Sequence, residues 1–218
     1  MARRTRASLK SEALQQAAAA PDPSAPAASL SGTIPIILFE TQSAWESWLE
    51  SHHNEPAGLW LQIGKKNADT PTVSYDEALD VALCFGWIDG QRKSHSEQHF
   101  IQRFTPRRKN SLWSKRNVDK VAALVAAERM RAPGQAEVDA AKADGRWERA
   151  YSSASVMEIP LDFLSALEGN KEARTFFDAL NKSQRYPFLW RIETTKRLET
   201  RKRKIAQFVE LLAEHKTL

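Results

Sequence analysis

The sequence predicts an α+β fold: a small antiparallel sheet flanked by helices, followed by a C-terminal helical subdomain. Three observations carry this. Glycine is scarce, eight residues in 218, so few turns use positive φ and much of the chain is free to be helical. Between Ile34 and Thr105, short stretches alternate apolar and polar residues with period two, the pattern of half-buried strands. Beyond Tyr151 the apolar spacing is helical, ending in Ile205, Phe208, Val209 and Leu212 at i, i+3, i+4 and i+7. Residues 1–32 are therefore expected to be a disordered tail, 33–155 an α+β core, and 156–218 a helical subdomain packed on that core. Apolar content of 42% and charged content of 27% are ordinary for a globular protein. No run approaches the roughly 20 apolar residues of a membrane span, so a soluble protein is expected.

The opening MARRTRASLK and the following QQAAAAPDPSAPAASLSG offer no apolar periodicity to bury. An Arg-rich presequence for mitochondria is the other reading, opposed by Glu12 and Asp22. Structure begins with IPIILFE, a strand whose Pro35 suits only an edge. Ser43-Ala-Trp-Glu46 has capping-box form and opens a helix with Trp45, Trp48 and Leu49 on one side. His52 and His53 fall at its end, where imidazoles interact with the helix dipole. Gly58 to Gly64 then alternates Leu59, Leu61 and Ile63 against Trp60 and Gln62, a strand. A second capping box, Ser74 to Glu77, opens a helix through Ala78, Leu79, Ala82 and Leu83 that Gly86 stops. Cys84, the only cysteine, excludes an internal disulfide and reads as a small buried hydrophobe. Trp87 to Arg92 and His99 to Thr105 form a hairpin across the polar Lys93 to Gln98, closed by Pro106. Ser111 or Ser114 caps a helix reaching about Met130. In the C-terminal part Pro160 opens Leu161 to Leu167, Asn170 caps Lys171 to Leu180, and Ser183 caps a helix with Phe188, Trp190 and Ile192.

Charge points to function more than the fold does. Arg92 to Lys120 holds nine cations against two carboxylates, a net of +7; Lys182 to Lys204 repeats that ratio, and Met1 to Lys10 carries +4. A chain of total charge +5 is thus left with −13 elsewhere, which suits a localised contact with an anion. In the central block, Arg103, Arg107, Arg108 and Lys109 lead into a helix N-terminus whose free N–H groups favour anions. Trp87 and Trp113 add rings, as core fillers or as stacking surfaces. Asp89 stands across the hairpin from Arg103, and an ion pair between them is expected in preference to a general base or metal ligand. His95, Glu97 and His99, spaced i, i+2, i+4, are the only weak candidates for a metal, and they coincide with the turn, where polar residues belong anyway. No cofactor is expected. Basic residues of the last helix, Arg197, Arg201, Lys202, Arg203 and Lys204, suit a solvated face, nucleic acid or a nuclear import signal, beside an otherwise cytoplasmic expectation.

FGWIDGQRK and FIQRFTPRRKNSLWSKRN resemble the signature of the YdeI/OmpD-associated family of bacteriocin-protection proteins, and GLWLQIGKK, AAKADGRWERAY and KRLETRKRKIAQFVELL fit the same pattern from about Phe39 to His215. The resemblance implies an α+β fold and a role in tolerance of cationic antimicrobial peptides, with no established chemistry. Positions carried over are Trp87, Asp89, Gly90, Arg103, Phe104, Thr105, Pro106, Arg107, Ser111, Trp113, Ser114 and Asn117. The resulting expectation is a non-enzymatic, anion-binding stress-protection protein. Its ligand contacts are Trp87, Asp89, Arg103, Arg107, Lys109, Ser111, Trp113, Ser114 and Asn117, and its partner an anionic small molecule or a polyanion. A nucleic-acid-binding module and an enzyme acting on a phosphorylated small molecule are the alternatives.

Overall fold

The computed structural model describes residues 34–218, so the expected tail, 1–32, and the presequence reading lie outside the described residues. In order, the elements are β1 (Ile36–Leu38), α1 (Gln42–His52), β2 (Leu59–Gly64), α2 (Tyr75–Cys84), β3 (Trp87–Ser94), β4 (His99–Pro106), α3 (Lys115–Ala126), α4 (Ala132–Ala143), α5 (Leu161–Glu168), α6 (Lys171–Ala179), α7 (Lys182–Glu193) and α8 (Leu198–Ala213). The α+β reading holds: one four-stranded sheet of order β1-β2-β4-β3 precedes a run of helices. The sheet is mixed and not wholly antiparallel. β4 is antiparallel to β2 and β3, but β1 is parallel to β2, because α1 carries the chain back to the end from which β1 started.

Local chemistry explains most element ends. Ser74 and Glu77 form the expected capping box on α2, and Asn170 caps α6 through Ala173 N–H. Two caps lie two residues earlier than the sequence suggests. Thr41, extended at φ −135°, accepts from Ala44 N–H in place of Ser43. Asn181 forms a capping box with Gln184 in place of Ser183. In both cases an earlier residue with a short side-chain oxygen takes the free N–H and puts the serine inside the first turn. Between Ser111 and Ser114, Ser114 is the cap of α3. Helix α4 was not legible as a helix; Pro133 sits in its first turn, where a missing N–H costs nothing.

Two apolar clusters result. In the first, Trp45, Leu49, Leu79, Leu83, Val121, Leu124 and Val138 from the helices meet Leu59, Leu61, Ile63, Trp87 and Phe104 from one face of the sheet. Two of its buried indoles keep partners: Trp45 Nε1 donates to Ala78 O at 3.1 Å and Trp87 Nε1 to His53 O at 2.8 Å. Cys84 belongs here, a small buried hydrophobe as expected, its thiol pushed up to about 11 by burial. The second cluster gathers Phe163, Leu167, Phe177, Phe188, Ile192, Ile205, Phe208 and Leu212 from α5 to α8. Residues 150–152 connect them: Tyr151 packs edge-on against Trp190 with ring centres 6.0 Å apart, and Ser152 N–H donates to Glu193 at 3.4 Å.

Gly134, in the first turn of α4, lies against the C-terminal end of α2; a Cβ there would stand 2.1 Å from Cys84 O and 2.7 Å from Leu83 O. Both obstacles are backbone, so the helices would have to separate. Gly134→Ala should lower stability by about 1–3 kcal/mol, the usual cost of overpacking, whereas Gly169→Ala, whose nearest new contact is at 3.5 Å, should not. Thermal unfolding of the two variants checks this, and equal melting temperatures would refute it.

Candidate functional site

Among the described residues two arginines are buried, and they differ in one respect. Arg146, 4% exposed, holds both oxygens of Asp144 through Nε at 2.9 and 2.6 Å and donates Nη1 to Ser111 O at 3.0 Å. Arg107, 7% exposed, has no carboxylate within pairing distance among the described residues. Its backbone N–H is held by Gly86 O at 2.9 Å and its Nη1 donates to Leu112 O at 3.2 Å. The guanidinium carbon lies 3.5 Å from the centre of the Trp113 ring, a cation–π contact. Nε and Nη2 have no partner, and neither has Nε1 of Trp113, a residue 1% exposed. Burial lowers the Arg107 pKa to about 10, so the group remains charged at neutral pH. The unused pair, Nε and Nη2, is one edge of the guanidinium fork, the edge that takes a carboxylate or phosphate through two parallel hydrogen bonds.

Around Arg107 the loop 107–114 is closed from several sides. Arg108 N–H bonds Ser111 Oγ, Arg146 holds Ser111 O, and Tyr151 N–H donates to Trp113 O at 2.9 Å while accepting Lys115 N–H at 2.9 Å. The start of α3 is consequently less free than expected: Lys115 N–H goes to Tyr151 O, Asn117 N–H to Ser114 Oγ and Val118 N–H to Ser114 O. Anion binding by that helix end alone therefore loses its main donors. Asn117 is buried beside it, and Lys109 is exposed on the turn.

Asp89 and Arg103 do not pair. The register sets Asp89 opposite Phe104, on the face of the sheet that the helices cover, and its Oδ2 accepts from Tyr75 OH at 2.8 Å. Arg103 is opposite Trp60, on the other face, where Nη1 reaches Leu59 O at 2.8 Å and Phe104 O at 3.2 Å and Nη2 bonds Ala57 O. The period-two alternation thus separates Arg103 from Asp89, while Arg107 lies past the end of β4 and turns inward with the loop, so a single concavity of Arg103 with Arg107 is not formed. Trp87 fills the core. His95 and Glu97 are exposed in the turn, His99 is 9% exposed with Nδ1 3.4 Å from Ser96 Oγ, and no group of three or more metal-ligating side chains converges among the described residues.

Sequence reading missed Tyr75, Tyr151 and Arg146, which close the site from α2 and from the segment after α4; only contact across the fold reveals them. Two clefts, of about 770 Å³ beside Trp190 and Phe208 and about 220 Å³ beside Met157 and Tyr186, lie in the C-terminal part and include none of the expected site residues.

The chain's three tyrosines, Tyr75, Tyr151 and Tyr186, all ionise above the ordinary value of 10. Burial is the main cause in each; Asp89 adds to it at Tyr75 and Tyr151, and Tyr75 and Tyr186 reach about 12. The unfolded chain therefore releases these protons first. Their stabilising contribution is complete below about pH 10 and is lost as pH rises toward 12. Absorbance at the tyrosinate band should show far less ionisation in native than in denatured protein at about pH 10.5, between the ordinary and raised values, and Tyr75→Phe should flatten the alkaline loss of stability. Native tyrosines titrating at the ordinary value would contradict the packing.

Residues 37–137, which include β2, the hairpin and Arg107, match a domain of unknown function (DUF8412). Residues 156–215 match the model described as Bacteriocin-protection, YdeI or OmpD-Associated. No curated protein and no solved structure matches the chain. The family expected from the hairpin motifs is thus matched over the helices that follow them. Over residues 156–215, and there alone among the described elements, the chain is similar to the YdeI or OmpD-associated, bacteriocin-protection family.

Proposed function

We propose that this chain is an anion-binding protein acting in stress protection, and that Arg107 is the anchor for a carboxylate or phosphate. The observation that carries the reading is the unpaired Nε–Nη2 edge of a buried guanidinium, next to an unpaired indole N–H. A buried charge without a counter-charge weakens the fold, so an oxyanion that binds there is held by charge, by two parallel hydrogen bonds and by exclusion of water. Arg146, its own carboxylate already supplied by Asp144, serves to hold the loop. The protective role rests on the match of residues 156–215. Arg107 repels a cationic peptide, so protection through this site acts on an anionic component of the cell and not on the peptide itself.

Thermal unfolding in phosphate, sulfate or acetate, against sodium chloride at equal ionic strength, tests this. Melting temperature should climb with the logarithm of oxyanion concentration, by the several degrees that about 2.7 kcal/mol at a hundredfold excess over Kd produces. Arg107→Met removes the unpaired charge while keeping the stem; it should melt no lower than the native chain without anion and lose the response. Arg107→Lys keeps charge but not the fork and should bind at least tenfold more weakly. A native chain indifferent to every oxyanion, or a full response in Arg107→Met, would sink the reading.

A further inference from the structure

Opposite the helices the sheet turns a second face outward. Register places Ile36, Trp60 and Arg103 in one cross-strand row and Leu38, Gln62, Ile101 and Lys93 in the next. None of Ile36, Leu38, Trp60, Ile88 or Ile101 belongs to either apolar cluster. Ile36 is 47% exposed, and Trp60 is only partly covered. Two cations attend its ring: Lys93 Nζ at 4.6 Å from the ring centre and Arg103 Cζ at 5.8 Å. Lys65 and Lys66, both exposed, continue the positive charge past the end of β2. Gly90, on the edge strand beside Arg103, has no side chain to cover it; a Cβ there would come within 3.4 Å of the Arg103 Cβ.

We infer that this outward sheet face, centred on Trp60, Lys93 and Arg103, binds single-stranded nucleic acid. Bases stack on an aromatic ring whatever their identity, and a backbone tracking the same rows meets cations spaced along it. A duplex satisfies the cations but hides its bases, leaving Trp60 nothing to stack on. A second copy of the chain meets the opposite difficulty. A two-fold contact through this face sets Lys93 and Arg103 against the same two cations of the partner, a like-charge arrangement that disfavours association. Apolar residues flanked by unpaired positive charge therefore fit a polyanion with exposed rings better than they fit this protein's own surface.

The test is fluorescence anisotropy of a labelled single strand of about 15 nucleotides, titrated with the full chain at several salt concentrations. Binding is expected at low salt, its logarithm falling linearly with the logarithm of salt concentration. Lys93→Glu should weaken it and flatten the slope; Trp60→Ala should weaken it about tenfold with little change of slope, because stacking releases no counterion. Trp60→Phe, which keeps a ring, should restore most of the loss and guards against a folding defect in the alanine variant. The inference is overturned by a native chain that binds no single strand, by variants that bind as the native chain does, which would move the contact to the basic side of α8, or by a duplex bound equally well. A dimer in light scattering that Trp60→Ala dissociates also overturns it.

Discussion

Keeping the Arg107 guanidinium out of water without a carboxylate is the constraint on which the surrounding structure depends. Burial holds its pKa down at about 10, a penalty on the charged form on the order of 3 kcal/mol. Three contacts offset part of that. The Trp113 ring faces the cation, Leu112 O takes Nη1, and Gly86 O fixes the backbone. Each needs its own support. Gly86 reaches that carbonyl position at φ +74°, a conformation open to glycine without strain. The turn bearing Leu112 and Trp113 is held by Arg146 from below and by Tyr151 from the side. Together these supports keep the loop closed over the guanidinium, in the low-dielectric setting where its hydrogen bonds are strongest.

Tyr151 ties this arrangement to the second apolar cluster. Its backbone pairs with Ser114 in an isolated parallel bridge, and its ring meets Trp190 of α7. Arg107 and Asp89 both influence its hydroxyl electrostatically. One residue thus touches the loop over the guanidinium and the helices that carry the family match. Beyond it the contact is sparse and polar: Ser152 N–H to Glu193 and Tyr186 OH to Ser152 O at 3.3 Å.

What the sequence made legible follows from how local each signal is. Caps with the oxygen and the glutamate in place, as at Ser74, and strands with unbroken alternation, as at Leu59 to Ile63, are determined within a few residues and appear as read. The shift from Ser43 to Thr41 and from Ser183 to Asn181 arises where two residues of equal capping ability stand two apart, and only the direction of chain entry decides between them. The parallel β1 escaped because pairing direction is set by the crossover and not by composition. At the site, the run of cations was visible but its division was not. Hairpin period two puts Arg103 outward, while Arg107, one residue past the end of β4, follows the loop inward. Tyr75, Tyr151 and Arg146 are 32, 44 and 39 residues from Arg107, and no local pattern marks them.

The placement of the two matches gives the proposed chemistry its direction. The cation-rich hairpin, both of its faces included, lies in the segment matching a domain of unknown function, whereas the protective family is matched by α5 to α8. In those helices Arg201 is bound bidentately by Asp162 at 2.6 and 2.9 Å and Arg174 by Asp178, and Lys204 donates to Thr195 Oγ1. Arg174 and Arg201 thus lose much of their outward field to a neighbouring carboxylate. Arg107 and Lys93 have no carboxylate partner among the described residues, one beneath the sheet's covered face and one on its open face. Unpaired charge is what an anion can still gain from, and the proposed anchor at Arg107 connects to the helices of the family match chiefly through Tyr151.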